Sequence, residues 1–219
     1  MTNVSFTRRK FIAGSAFALL GLNAITPSLA FADNKVEQEP RIHVTLQDAN
    51  GQMLEDVGAP QLQCAASNRL NLGDTSKTVV QNQDGSYTMS CNTSVVPTIT
   101  PRTTSEKYNY DPYATVRVTV DYTFFRGNIT ITSGSVYISN IAPEIELSSR
   151  YQIVAQGPYT SDGMNIVEQF TENEHTIVTG WSAVEYIPSG VSNMNLCRFQ
   201  GLVNGGGVKN YVLAVEVLV

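Results

Sequence analysis

Ala114-Thr115-Val116-Arg117-Val118-Thr119-Val120-Asp121-Tyr122-Thr123-Phe124-Phe125 alternates apolar and polar side chains until its last residue. Successive side chains of a strand point to opposite faces, so Val116, Val118, Val120, Tyr122 and Phe124 define one buried face. Arg117, Thr119, Asp121 and Thr123 define the other. A helical period would scatter both sets around a cylinder. Arg126-Gly127-Asn128 supplies a tight turn, and a second run of the same kind begins behind it.

Working downstream, strand-like runs follow at 128–139, 144–156, 164–170, 175–187, 195–203 and 208–219, and no segment has a helical period. Seven short strands in about 100 residues is the size and count of an immunoglobulin-like sandwich. The last two runs face each other across Asn204-Gly205-Gly206-Gly207, a glycine-rich connection. Trp181, the only tryptophan, reads as the largest anchor of the core. Residues 113–219 are thus expected to form an antiparallel β-sandwich.

Upstream, Ile42, Val44 and Leu46 alternate with His43, Thr45 and Gln47 and stop at Asp48-Ala49-Asn50-Gly51, a hairpin turn signal. His43 falls on the polar side and reads as a solvent-facing strand residue. A second hairpin joins Lys77–Gln81, which supplies Val79 and Val80, to a return strand with Tyr87, Met89 and Cys91 on one face. Residues 33–100 are expected to form a small β-rich module that precedes the sandwich or shares one domain with it. Residues 92–113, with Pro97, Pro101 and Pro112, mark the boundary between the two. Within that boundary Tyr108, Tyr110 and Tyr113 read either as a packed turn covering a sheet end or as a ligand platform.

The fold class read from the sequence is therefore all-β: an antiparallel sandwich of immunoglobulin-like strand count, a smaller hairpin module before it, and a helical leader. That leader occupies residues 1–32. Arg8, Arg9 and Lys10 form a basic start, Phe11–Ile25 an apolar stretch, and Ala30-Phe31-Ala32 a small-x-small cleavage site. Fifteen apolar residues fall short of the roughly 20 that cross a bilayer, which favours cleavage over anchoring. Thr7-Arg8-Arg9-Lys10-Phe11-Ile12 resembles the twin-arginine (Tat) export signal, with Ile12 and Ala13 departing from its usual Leu and Lys. The resemblance covers the leader alone. It implies recognition of Arg8, Arg9 and Phe11 by the Tat translocase and a periplasmic or extracellular product, with cleavage at the Ala30-x-Ala32 site leaving Asp33 as the first mature residue.

Losing residues 1–32 removes three of 14 basic residues and none of 19 acidic ones, so 11 against 19 remain, a net charge of −8. An acidic chain without a basic cluster is repelled by phosphate backbones and anionic lipids, so nucleic-acid binding is a poor hypothesis. No second apolar segment reaches membrane-spanning length. Charged residues make up only 15% of the chain while Ser, Thr, Asn and Gln abound, a pattern of strands whose outer faces are polar rather than ionic.

Cys64, Cys91 and Cys197 all lie beyond the leader, and export allows disulfides to persist. Cys64 and Cys91, both in the early β-rich section, are the expected pair, worth about 3 to 4 kcal/mol. Cys197 reads as a buried strand thiol. His43 and His175, the only histidines, stand apart from each other and from the cysteines, so no metal-ligand spacing arises.

No catalytic set emerges. Gly201–Asn210 lacks the order of a phosphate loop, and no Gly-x-Ser-x-Gly elbow exists. Glu144 and Glu146 share a strand face as ordinary solvated charge. Asp48, Asn50 and Glu55 lack the glycine and glutamate of a calcium loop. The residues favour a non-enzymatic exported sandwich that binds a glycan or protein ligand and needs no cofactor. The alternative is an exported enzyme carried folded by the Tat route, which two histidines and no cysteine cluster do little to support.

Overall fold

Thirteen antiparallel strands occur in chain order among the described residues: β1 (Arg41–Gln47), β2 (Met53–Val57), β3 (Leu70–Leu72), β4 (Ser76–Gln81), β5 (Tyr87–Pro97), β6 (Ala114–Phe125), β7 (Asn128–Ser139), β8 (Ile145–Gln156), β9 (Met164–Phe170), β10 (Glu174–Val178), β11 (Val184–Glu185), β12 (Leu196–Gly205) and β13 (Val208–Leu218). This computed structural model describes residues 40–58, 70–97, 112–158, 163–187, 189 and 193–219. Two sheets stack as a sandwich. The first runs β2-β1-β13-β12-β8-β9. The second runs β10-β7-β6-β5-β3, with β11 also beside β7 and β4 also beside β5.

The alternation of β6 sets the inner layer of the second sheet. Val116, Val118 and Val120 are fully buried, and register places them opposite Ile138, Val136 and Gly134 of β7 and Thr93, Cys91 and Met89 of β5. Facing them from the first sheet are Val44 and Leu46 of β1, Val154 of β8, Cys197, Phe199 and Val203 of β12, and Leu213, Val215 and Val217 of β13. Burying such side chains contributes about 1.5 to 3 kcal/mol each against exposure, which is why the two alternating faces clamp together. Between β6 and β7 the two-residue loop has Arg126 at φ 51° and Gly127 at φ 76°. Positive φ at both positions is the primed turn whose twist matches the flanking strands.

The described residues between 40 and 97 contribute to both sheets. β1 pairs with β13 from Arg41↔Leu218 to Gln47↔Val212, and β5 pairs with β6 from Tyr87↔Tyr122 to Val95↔Ala114. Gln38–Val219 forms one compact unit.

Three expectations change. The run 175–187 is two strands, β10 and β11, separated where Gly180 takes φ 63°, so residues 113–219 hold eight strands rather than seven. Phe124, grouped with the buried face of β6, is 47% exposed at the end of its strand. Trp181 is half-buried against the core, and Phe199 is the largest fully buried side chain among the described residues.

Arg150 secures the β9–β10 turn. Its Nε donates to the Leu147 carbonyl (2.6 Å), and one terminal nitrogen donates to the carbonyls of Thr171 and Glu172 (2.9 Å each) and to Asn173 Oδ1 (3.0 Å). Next to it Phe170 of β9 stacks on His175 of β10 at 4.7 Å, closing one open side of the sandwich.

Candidate binding face

The polar positions of β6 point away from the core, and pairing aligns them with equivalent positions on four other strands. Thr176, Ser135, Thr119, Ser90 and Thr78 lie side by side on β10, β7, β6, β5 and β4. No other group among the described residues takes up these five hydroxyls. One row along, Val178, Ser133, Asp121, Thr88 and Val80 follow in the same order. Here the hydroxyls are engaged: Thr88 Oγ1 donates to Asp121 Oδ1 (2.7 Å) and Ser133 Oγ to Oδ2 (2.6 Å). The row on the opposite side reads Glu174, Tyr137, Arg117, Asn92 and Ser76.

Outward sheet faces ordinarily carry ionic side chains that hold water. Beside Glu174, Arg117 and Asp121, this one carries a row of hydroxyls and several exposed apolar groups. Val178 is 76% exposed, Tyr137 50% and Val80 48%, and Phe125, in line with Thr123 at the β6 end, is 68% exposed.

The Phe125 end is rigidly built. Arg126 lays its guanidinium over the Phe125 ring, 4.9 Å from the centroid. Phe124 meets Tyr186 edge-on at 5.3 Å, and Tyr122 stacks on Tyr87 at 5.4 Å. The Tyr186 amide donates to the Gly127 carbonyl (2.8 Å), which ties the segment behind β11 to the hairpin tip. Such aromatic pairs contribute about 0.5 to 1.5 kcal/mol beyond their burial. Burial raises the hydroxyl pKa of Tyr122 and of Tyr186, so neither is an activated phenol.

On the other sheet His43, expected to face solvent, sits in an ion row. Its Nδ1 lies 2.9 Å from Glu216 Oε2 and its Nε2 2.8 Å from Asp56 Oδ1, while Arg198 reaches Glu216 Oε1 at 3.1 Å. The Glu216 hydrogen bond raises the His43 pKa against the opposing effect of burial, helped by the charges of Glu216 and Asp56. Burial opposes ionisation of Glu216, but the His43 bond and the Arg198 and His43 charges outweigh it and hold its carboxyl below the usual range. A ring with both nitrogens held by carboxylates donates twice and keeps no lone pair for base catalysis or metal ligation. His175 bonds Glu168 through Nε2 at 2.9 Å and lies far along the chain from this row. Among the described residues no three His, Cys, Asp or Glu side chains are placed to hold a metal ion.

Cys91, expected to bridge to Cys64, is instead a buried free thiol turned into the core beside Val118, and Cys197 is a buried free thiol as expected; burial pushes each up to about 12 and so holds it protonated. Neither is a nucleophile at neutral pH. Arg8, Arg9, Phe11, Ala30, Ala32 and Cys64 lie outside the described residues, as do Tyr108 and Tyr110. Tyr113 packs against the core, and its amide donates to the Val95 carbonyl at 2.8 Å. Among the described residues no helix is long and apolar enough to cross a membrane. No protein-family model, curated protein or solved structure matches this chain.

Proposed function

We propose that this chain is an exported, non-enzymatic β-sandwich that binds a partner molecule on the outer face of its second sheet. The observation behind this reading is the combination on one face of unengaged hydroxyls with exposed Phe125, Tyr137, Val178 and Val80. A face meant only for solvation gains nothing from exposed apolar groups, whereas a contact surface uses them as anchors. The paired state of His43 and the protonated state of Cys91 and Cys197 are consistent with this reading.

Export belongs to the same proposal. Arg8 and Arg9 present planar guanidinium forks that Lys cannot reproduce, so replacing both with Lys should strand unprocessed precursor on the near side of the membrane.

Binding is tested by a photo-reactive side chain placed at position 119 of the full chain in producing cells, with position 209 on β13 as the exposed control. Adducts at 119 and none at 209 are expected. Equal labelling at both positions, or none at either, sinks the binding-face reading.

A further inference from the structure

We infer that the ligand of this face is a neutral, extended polysaccharide laid across the strands, an assignment that rests on the binding-face reading above. Three features select the chemistry. The first is spacing. Strands repeat at about 4.8 Å, so the five hydroxyls from Thr176 to Thr78 form a row roughly 19 Å long. That repeat is close to the advance of one ring in an extended β-1,4-linked sugar chain, so each strand meets one sugar. The right-handed twist of the sheet turns the row gradually, and such glycans twist as well.

The second feature is hydrogen-bond type. A hydroxyl both donates and accepts, as sugar hydroxyls do, so Thr119 and its neighbours can match a partner whose edge repeats the same group. Because no other group among the described residues engages them, forming those bonds breaks none inside the protein. The apolar components fit the other side of a sugar. Tyr137, Val178 and Val80 flank the row as exposed surfaces for the C–H faces of the rings.

The third feature is charge. Glu174 and Arg117 stand on either side of Tyr137 with opposite signs, and Asp121 is held by two hydroxyls. The whole chain carries a net charge of −5, which disfavours acidic glycans. With Glu174 and Arg117 balancing each other beside the row, the face offers no single-sign site for a charged glycan of either sign, and a neutral chain is the class that fits.

The test is retention of the purified full chain on cellulose and chitin powders, with alginate as the acidic comparison and melting temperature measured for every variant. Retention on at least one neutral polymer, insensitive to salt, is expected. The pair Thr119→Val with Ser135→Ala removes two central hydroxyls with little change of shape and should weaken retention roughly tenfold. Tyr137→Ala should weaken it by about the same factor, and melting temperatures should stay at the wild-type value. Failure to bind either neutral polymer, preference for alginate, or unchanged retention of the hydroxyl pair overturns the inference. So does inhibition of ice growth by the wild type without polymer retention, because an ordered hydroxyl array could hold water in place of sugar. Should position 119 still give adducts in cells while both polymers fail, the ligand class is wrong and the binding face stands. Loss of the adducts as well removes both.

Discussion

Gly134 of β7 lies directly over Cys197 of β12: a Cβ added to Gly134 would sit 2.8 Å from the thiol sulfur and 2.5 Å from a methyl of Val154. The two sheets approach each other so closely here that only hydrogen fits. Gly134→Ala should therefore destabilise the fold by about 1 to 3 kcal/mol through overpacking. Cys197→Ala in the same chain should recover part of that loss, since it vacates the contested volume. Urea unfolding of both variants and the pair measures the coupling, and additive effects would contradict the contact.

The ion row gives stability a defined pH window. His43 titrates above its ordinary 6.5, so its contribution is full below that value and lost as pH rises through the folded pKa. Glu216 titrates below its ordinary 4.5, so its contribution is full above that value and lost as pH falls through the folded pKa. Stability from this row should peak between the two ordinary values, at about pH 4.5 to 6.5. Urea midpoints across the acid to alkaline range check it. Glu216→Gln should flatten both sides of the profile.

Glu216→Ala is a harsher change, because it leaves Arg198, only 9% exposed at its side chain, without its carboxylate. Its Nε already has no partner among the described residues. Breaking one side of such a buried pair costs about 3 to 5 kcal/mol. Thermal or urea unfolding should place this variant well below His43→Ala, whose loss leaves the Arg198–Glu216 pair intact.

Residues 113–219 expressed alone would lose β1 from the side of β13 and β5 from the side of β6. Two central strands would become bare edges, and the inner residues of β6 would lose Met89 and Cys91 as neighbours. The fragment should be unfolded or aggregated by circular dichroism and light scattering, while a chain beginning near residue 38 should unfold cooperatively.

Trp181 tests how much the segment between β10 and β11 adds to the core. Half-buried, it should cost about 2 kcal/mol on Trp181→Ala, below the 3 to 5 of a fully buried ring. Phe199→Ala, by contrast, should reach the upper range.

Strands with an unbroken period of two and a turn at each end were legible before any coordinates. The boundaries of β6, β7 and β9 coincide with those read from alternation, and for β6 and β7 one buried face and the Gly127 turn leave no other register. The split of 175–187 was not legible, since its alternation continues through Gly180 while the backbone there turns to positive φ. For His43 the polar face was read correctly but its neighbours were not: Asp56 and Glu216 lie 13 and 173 residues away. The hydroxyl row has the same character. Each Ser or Thr is unremarkable on its own strand, and only the register of four strand pairs makes five of them a line.

The position of β13 governs when this protein can first exist as a folded object. It is the last strand in the order of synthesis among those described, yet it lies between β1 and β12 inside the first sheet. Until residues 208–218 have left the ribosome, β1 has no partner on that side and Phe199 has no completed wall. The core consequently closes after translation of nearly all these residues rather than strand by strand, and β1 must wait for a partner more than 160 residues away, from His43 to Glu216 at a separation of 173. Long-range pairing of this kind slows folding and lengthens the time the nascent chain spends with unpaired strand edges.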